Sequence, residues 1–133
     1  MRQYRFGACL LLAACSVDGF DYEDAVKAEL RDPDSAQFSD VVSEAGVACG
    51  FVNAKNGYGG FSGKMAFVVT GSEAIAPDVH LIDAPDEEDG KLIKSRCPAA
   101  NKDQLYLWTL EKRGDAIRAW VDENAKILGT EAK

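Results

Sequence analysis

Four cysteines, Cys9, Cys15, Cys49 and Cys97, and a single histidine, His80, are the residues of this chain whose types most readily do chemistry. A cysteine beside a histidine is the core of a thiol nucleophile. No local sequence around Cys49, Cys97 or His80 supports that arrangement, and one histidine without paired ligands is a poor zinc site. His80 lies in the apolar run Val79-His80-Leu81-Ile82, which predicts a partly buried structural histidine. The acidic run Asp83, Asp86, Glu87, Glu88 and Asp89 invites calcium. Aligned on Gly90, a calcium-binding loop would need a ligand at Pro85 and a bidentate glutamate at Arg96, so the match fails and a solvated acidic loop is expected. The glycines between residues 56 and 64 invite a phosphate site, and the spacing refuses it. A P-loop would need glycine at Tyr58 and serine or threonine at Met65, and a dinucleotide fingerprint would need glycine at Ser62. Neither a cofactor nor a metal ion is expected. Paired carboxylates for hydrolysis could come from any of 22 acidic residues, and spacing alone selects none.

The first residues read as an address. Arg2 and Arg5 precede the compact apolar run of residues 6–14, and small residues lead into Cys15. That is the layout of an export signal. Leu12-Ala13-Ala14-Cys15 resembles the lipobox of bacterial lipoproteins. The resemblance implies cleavage after residue 14, acylation of Cys15 as the first mature residue, and attachment to a lipid bilayer. Ser16 in the next position, where aspartate would imply retention in the inner membrane, favours the outer membrane facing the periplasm. Loss of the leader discards Cys9 and leaves Cys49 and Cys97 beside the lipidated cysteine. In an exported chain that pair most simply forms one disulfide.

Composition agrees with a folded domain and narrows its partners. Hydrophobic residues make up 47% and charged ones 28%, a globular balance. Lys and Arg number 15 against 22 Asp and Glu, a formal net charge of −7. Removing Arg2 and Arg5 takes this to about −9. Such a surface argues against a nucleic-acid partner, whose phosphates demand cations.

The elements that must position any site follow from periodicity. Residues 1–14 are the expected signal, 15–21 the lipidated cysteine and a short tether, 22–129 one domain, and 130–133 a tail. Tyr22, Val26 and Leu30 recur at helical spacing, which predicts a helix over 21–31 ended by Pro33. Residues 41–43 and 47–54 read as strands around Gly46, and 64–70 as a third, paired through the glycine-rich segment 56–63 as a hairpin. Residues 71–78 read as loop, 79–82 as a short strand, and 83–90 as the acidic turn. Residues 105–110 are ambiguous between a strand and a helix ending at Gly114. Asp115 is expected to cap a last helix with Ile117, Trp120, Val121 and Leu128 on one face and Gly129 at its end. Trp108 and Trp120 read most simply as core, with Trp120 facing a partner as the alternative. The order helix, strands, helix predicts an α+β domain with an antiparallel sheet.

The segment from Val47 to Lys64 is the most distinctive. Together with residues 30–38 it carries the patterns DP-SA-F and CG-VNAKN--GG--G. Over residues 26–70 the chain resembles small, largely uncharacterised bacterial lipoprotein-like and prophage-associated proteins. The resemblance brings no assigned chemistry. Two readings of the loop stand side by side. One is a hairpin whose glycines permit positive φ. The other is a recognition loop that shows Tyr58 and Phe61 to a partner, with Asn53, Lys55, Asn56 and Lys64 as polar contacts. The functional expectation is a lipid-anchored envelope protein with a non-catalytic binding or assembly role and an envelope protein partner. The alternatives are a prophage-encoded factor that excludes superinfecting phage, and a cell-wall hydrolase using a carboxylate pair.

Overall fold

The structure is a computed structural model that describes residues 21–72 and 74–129. The leader, Cys15 and the tail lie outside the described residues. Helix α1 spans Tyr22–Ala28, strands β1 to β4 span Gln37–Glu44, Val47–Asn53, Met65–Ser72 and Ile75–Ile82, and helices α2 and α3 span Glu87–Arg96 and Ala99–Leu128. The strands form one antiparallel sheet in the order β1-β2-β3-β4. The domain is α+β, as its sequence pattern predicts.

Alternation in β2 divides the core in two. Cys49 and Phe51 point to the face covered by α2 and α3, where they meet Ala66, Val68, Ile82, Ile93 and Leu105. Ala48 and Val52 point to the other face, where they join Phe67, Val69 and Val26 of α1. Period-two side chains therefore bury both faces of one sheet. Asp21 starts α1 by accepting the backbone N–H groups of Glu23 and Asp24 at 3.0 and 3.2 Å. The helix ends at Ala28, short of the expected Arg31, because the chain must become extended at Asp32 ahead of Pro33. Its last turn tightens instead, and Leu30 N–H bonds to Lys27 O at 3.1 Å.

Strand β1 is longer than its sequence pattern suggests. It carries an irregularity between Ser39 and Val42, where Asp40 takes a φ of 54°. The extra residue rephases the strand, so that Phe38 and Val41 both pack toward α1. Gly50 lies opposite, and a Cβ there would come within 2.7 Å of Val41 Cγ2. The bulged strand and a bare glycine backbone fit against each other.

Four expectations are corrected. Residues 71–78 are not a loop, because 71 and 72 finish β3 and 75–78 begin β4, with Asp78 opposite Thr70 and Ile75 opposite Ser72. Pro77 is tolerated there because β4 is an edge strand. The acidic run is not a free turn, because Asp86 caps α2 in a reciprocal box. Asp89 N–H donates to Asp86 Oδ1 and Asp86 N–H to Asp89 Oδ2, each at 2.9 Å. Hydrogen bonding from Asp89 N–H holds the Asp86 carboxyl below its usual range, against a weaker opposing desolvation. The cap's charge-dependent contribution is therefore present above the ordinary carboxylate range and lost as pH falls through the lowered value. Gly114 does not end a helix and Asp115 does not start one, since α3 is continuous for 30 residues. A helical glycine costs only about 1 kcal/mol relative to alanine, too little to break a helix with good formers on both sides. Trp120, Ile117 and Val121 are not core, because this half of α3 extends past the sheet and leaves them exposed. Trp108 does pack inward, edge-on to Phe51 with centroids 5.5 Å apart.

Cys49 and Cys97 are bonded, with Cα atoms 5.7 Å apart and a sequence separation of 48. The bond joins β2 to the C-cap of α2. In the first turn of α3, buried Asn101 donates from Nδ2 to Cys49 O at 2.8 Å and to Asp40 O at 3.0 Å. It satisfies a ladder carbonyl and the bulge carbonyl at once. Asn101→Leu removes both donors within a similar volume and strands two carbonyls. We expect a loss of about 1–3 kcal/mol in urea denaturation, the cost of one stranded buried carbonyl, since Asp40 is exposed and the substitution also removes Asn101 Oδ1, which is buried without a partner. A change below about 0.5 kcal/mol would contradict this role.

Candidate functional site

The loop between β2 and β3 is built by its own polar groups. Lys55 and Phe61 form an isolated bridge. Ser62 closes the neck, with N–H and Oγ both donating to Ala54 O at 3.2 Å. Farther out, Asn56 N–H donates to Gly60 O at 2.7 Å and Gly59 N–H to Asn56 O at 3.1 Å. The Asn56 side chain accepts from Tyr58 N–H at 2.9 Å and Gly60 N–H at 3.3 Å, an Asx-type closure. Asn53 Oδ1 accepts from Gly63 N–H at 3.2 Å. Gly59 and Gly63 have φ of 81° and 98°, the left-handed region that favours glycine. A third fastening comes from outside, where Lys55 N–H donates to Ser35 Oγ at 2.8 Å and that hydroxyl donates to Asp32 O.

The six residues singled out in this segment therefore separate. Asn53 and Asn56 use their carbonyl oxygens on backbone amides and hold the loop's shape. Lys64 turns back, its ammonium 5.3 Å from the Phe51 ring centre. Tyr58 stands fully exposed at the tip, and Phe61 is about half exposed with the Lys55 ammonium 5.8 Å from its ring. The loop thus presents two aromatic rings and a cation on a fastened backbone. Arg31 joins it from the segment after α1, its Nη1 3.3 Å from where a Gly57 Cβ would stand. Periodicity assigns Arg31 to a helix end, so nothing in the sequence announces that proximity.

His80 occupies different surroundings. It is exposed, not partly buried, because β4 is the edge strand and α2 leaves a gap beside it. The gap is an open cleft of about 470 Å³ lined by His80, Asp86, Glu88, Asp89, Lys91, Leu92 and Ser95. Asp86 and Asp89 are engaged by each other's backbone amides. Lys91 is engaged by Glu88 at 2.7 Å and Glu87 at 3.4 Å, and hydrogen bonding to Glu88 holds its ammonium above the usual range. These groups serve the start of α2. Among the described residues no three His, Cys, Asp or Glu side chains gather as they would around a metal ion.

The division of labour in the loop predicts opposite outcomes for two substitutions. Tyr58→Ala should leave unfolding free energy within about 0.5 kcal/mol of the parent, since the side chain packs against nothing. Asn56→Ala removes the acceptor of two amides. Amide exchange at Tyr58 and Gly60 should accelerate about three- to tenfold, in line with a net 0.5–1.5 kcal/mol for such a bond.

Comparison with protein families, with curated proteins and with solved structures returns no match for this chain.

Proposed function

We propose that this chain is an exported, lipid-anchored cell-envelope protein whose domain acts by binding, and that the tip of the β2–β3 loop is its contact surface. The observation that carries the envelope reading is the buried Cys49–Cys97 disulfide. Structural disulfides persist in oxidising compartments and are rare in reducing ones. The leader supports the same reading, since the lipobox-like Leu12-Ala13-Ala14-Cys15 ends an export-type segment. In this reading Cys15 is acylated and anchors the chain to the bilayer, with Ser16 favouring the outer membrane. Two or more acyl chains make a stable anchor where one is marginal. Residues 15–21 then span at most about 25 Å, which keeps the domain close to the membrane.

Binding is supported by the loop's construction. Its polar side chains have gone into holding the backbone, while Tyr58, Phe61 and Lys55 face outward. A rigid frame lowers the ordering cost of association, and exposed aromatic rings supply apolar contact area with few torsions to freeze. The partner is an envelope protein.

Two measurements test the two halves of this reading. Cells fed labelled palmitate should incorporate it into the parent, and Cys15→Ser should carry no label and retain the leader. A parent that takes up no label and fractionates with cytosol would refute the anchor. A photo-reactive phenylalanine placed at position 58 should cross-link in living cells to one specific envelope protein, and Lys55→Ala should weaken that product. Absence of any specific product would refute the loop as contact surface.

A further inference from the structure

Helix α3 has two apolar faces, and the domain uses one. Asn101, Leu105 and Thr109 are buried toward the sheet and α2, with Trp108 beside them. On the opposite face lie Leu107, Leu110, Gly114, Ile117, Val121 and Asn124, at spacings of three, four, three, four and three. Alternating steps of three and four, a heptad repeat, are the seam of a two-stranded coiled coil, not the broader stripe of a helix lying on a globular core. Leu107 is 63% exposed and Ile117 58%, and Leu110 and Val121 are exposed too. Every position from Asp115 to Glu123 is exposed, so this half of the helix stands clear.

We infer that this seam pairs with the same seam of a second copy of the chain, in antiparallel orientation. The flanking charges choose both partner and direction. Glu111 and Arg118 lie seven residues apart along one edge of the seam, and Arg113 and Trp120 lie seven apart along the other. Antiparallel pairing that sets Gly114 against Ile117 of the second copy also sets Leu110 against Val121 and Leu107 against Asn124. It then brings Glu111 beside Arg118 of the second copy, twice by symmetry, and Arg113 beside Trp120, twice. Opposite charges meet on one edge, and cation meets aromatic face on the other. A parallel pair would set Arg113 against Arg118 of the second copy, twice, with like charges at the flanking positions. Within one chain Arg118 already pairs with Asp115, and a guanidinium has donors for a second carboxylate. Gly114 helps as well. Among the described residues, the helix's own adjoining backbone aside, nothing lies within 4 Å of a Cβ built there, and the missing side chain makes room for an isoleucine. The helix is already formed by the domain, so dimerisation carries little of the nucleation cost that burdens isolated short coiled coils.

The test is sedimentation equilibrium of the full chain from its membrane fraction, in density-matched detergent. The parent should show twice the monomer mass, with a dissociation constant in the tens of micromolar. Ile117→Glu should be monomeric with an unchanged melting temperature, because the side chain is exposed in the single chain. Glu111→Arg should weaken the dimer at least fivefold, and Glu111→Arg with Arg118→Glu should return it to within about twofold of the parent. Leu110→Cys and Val121→Cys chains should cross-link to each other when mixed. A parent that stays monomeric at about 100 µM, its seam bare or covered by another protein, would overturn the inference. So would cross-linking of Val121→Cys to itself, or a charge exchange that fails to restore the dimer.

Discussion

The rest of the structure depends on the tie between the centre of the sheet and the joint of its two C-terminal helices. Helix α2 is anchored mainly by α3, and α3 by half of its own length. The Cys49–Cys97 bond fixes that joint to an inner strand, and Asn101 bonds the neighbouring carbonyl one turn later. In chain-entropy terms, closing a loop of 48 positions stabilises the fold by about 4 kcal/mol. That is comparable with the whole stability of a small domain, roughly 5–15 kcal/mol. One covalent bond thus helps a four-stranded sheet keep α2 and α3 on one face, while α1 is held on the other by packing around Val26.

What the tie leaves free is as informative as what it holds. β2 and β3 are the inner strands, so the loop joining them stands on the firmest part of the sheet. Its asparagines and glycines complete the frame, and its aromatic residues are left over. At the other extreme, α3 runs on past the sheet and carries a second apolar seam into solvent. Both features are surfaces offered outward by elements anchored inward.

Much of this was legible in residues alone, where one physical rule dominated. The β-favouring run of residues 47–54 marked β2, and the cysteine count paired Cys49 with Cys97. Where rules competed, local pattern misled. Pro77 and its exposed neighbours looked like loop because an edge strand need not alternate. The acidic run looked like a solvated turn because five carboxylates in seven positions resemble loop chemistry, yet Asp86 and Asp89 are a capping box. Gly114 looked like a terminus because glycine is a common helix stop. In α3 its neighbours outweigh its propensity, and no left-handed backbone is needed there. The bulge at Asp40 was hidden because rephasing a strand leaves no mark on composition. Within the loop, Tyr58 and Phe61 could be read as outward groups. The inward use of Asn53 and Asn56, and the approach of Arg31, depend on closure geometry that spacing does not encode.

The measurement that bears most directly on this account is the intact mass of the protein taken from its own membranes, with thiols alkylated before and after reduction. The account predicts a chain of residues 15–133 carrying acyl groups, with no alkylation before reduction and two additions after it, at Cys49 and Cys97. A full-length, unacylated chain whose cysteines alkylate without reduction would contradict it, placing the domain in a reducing compartment without the bond on which its fold rests.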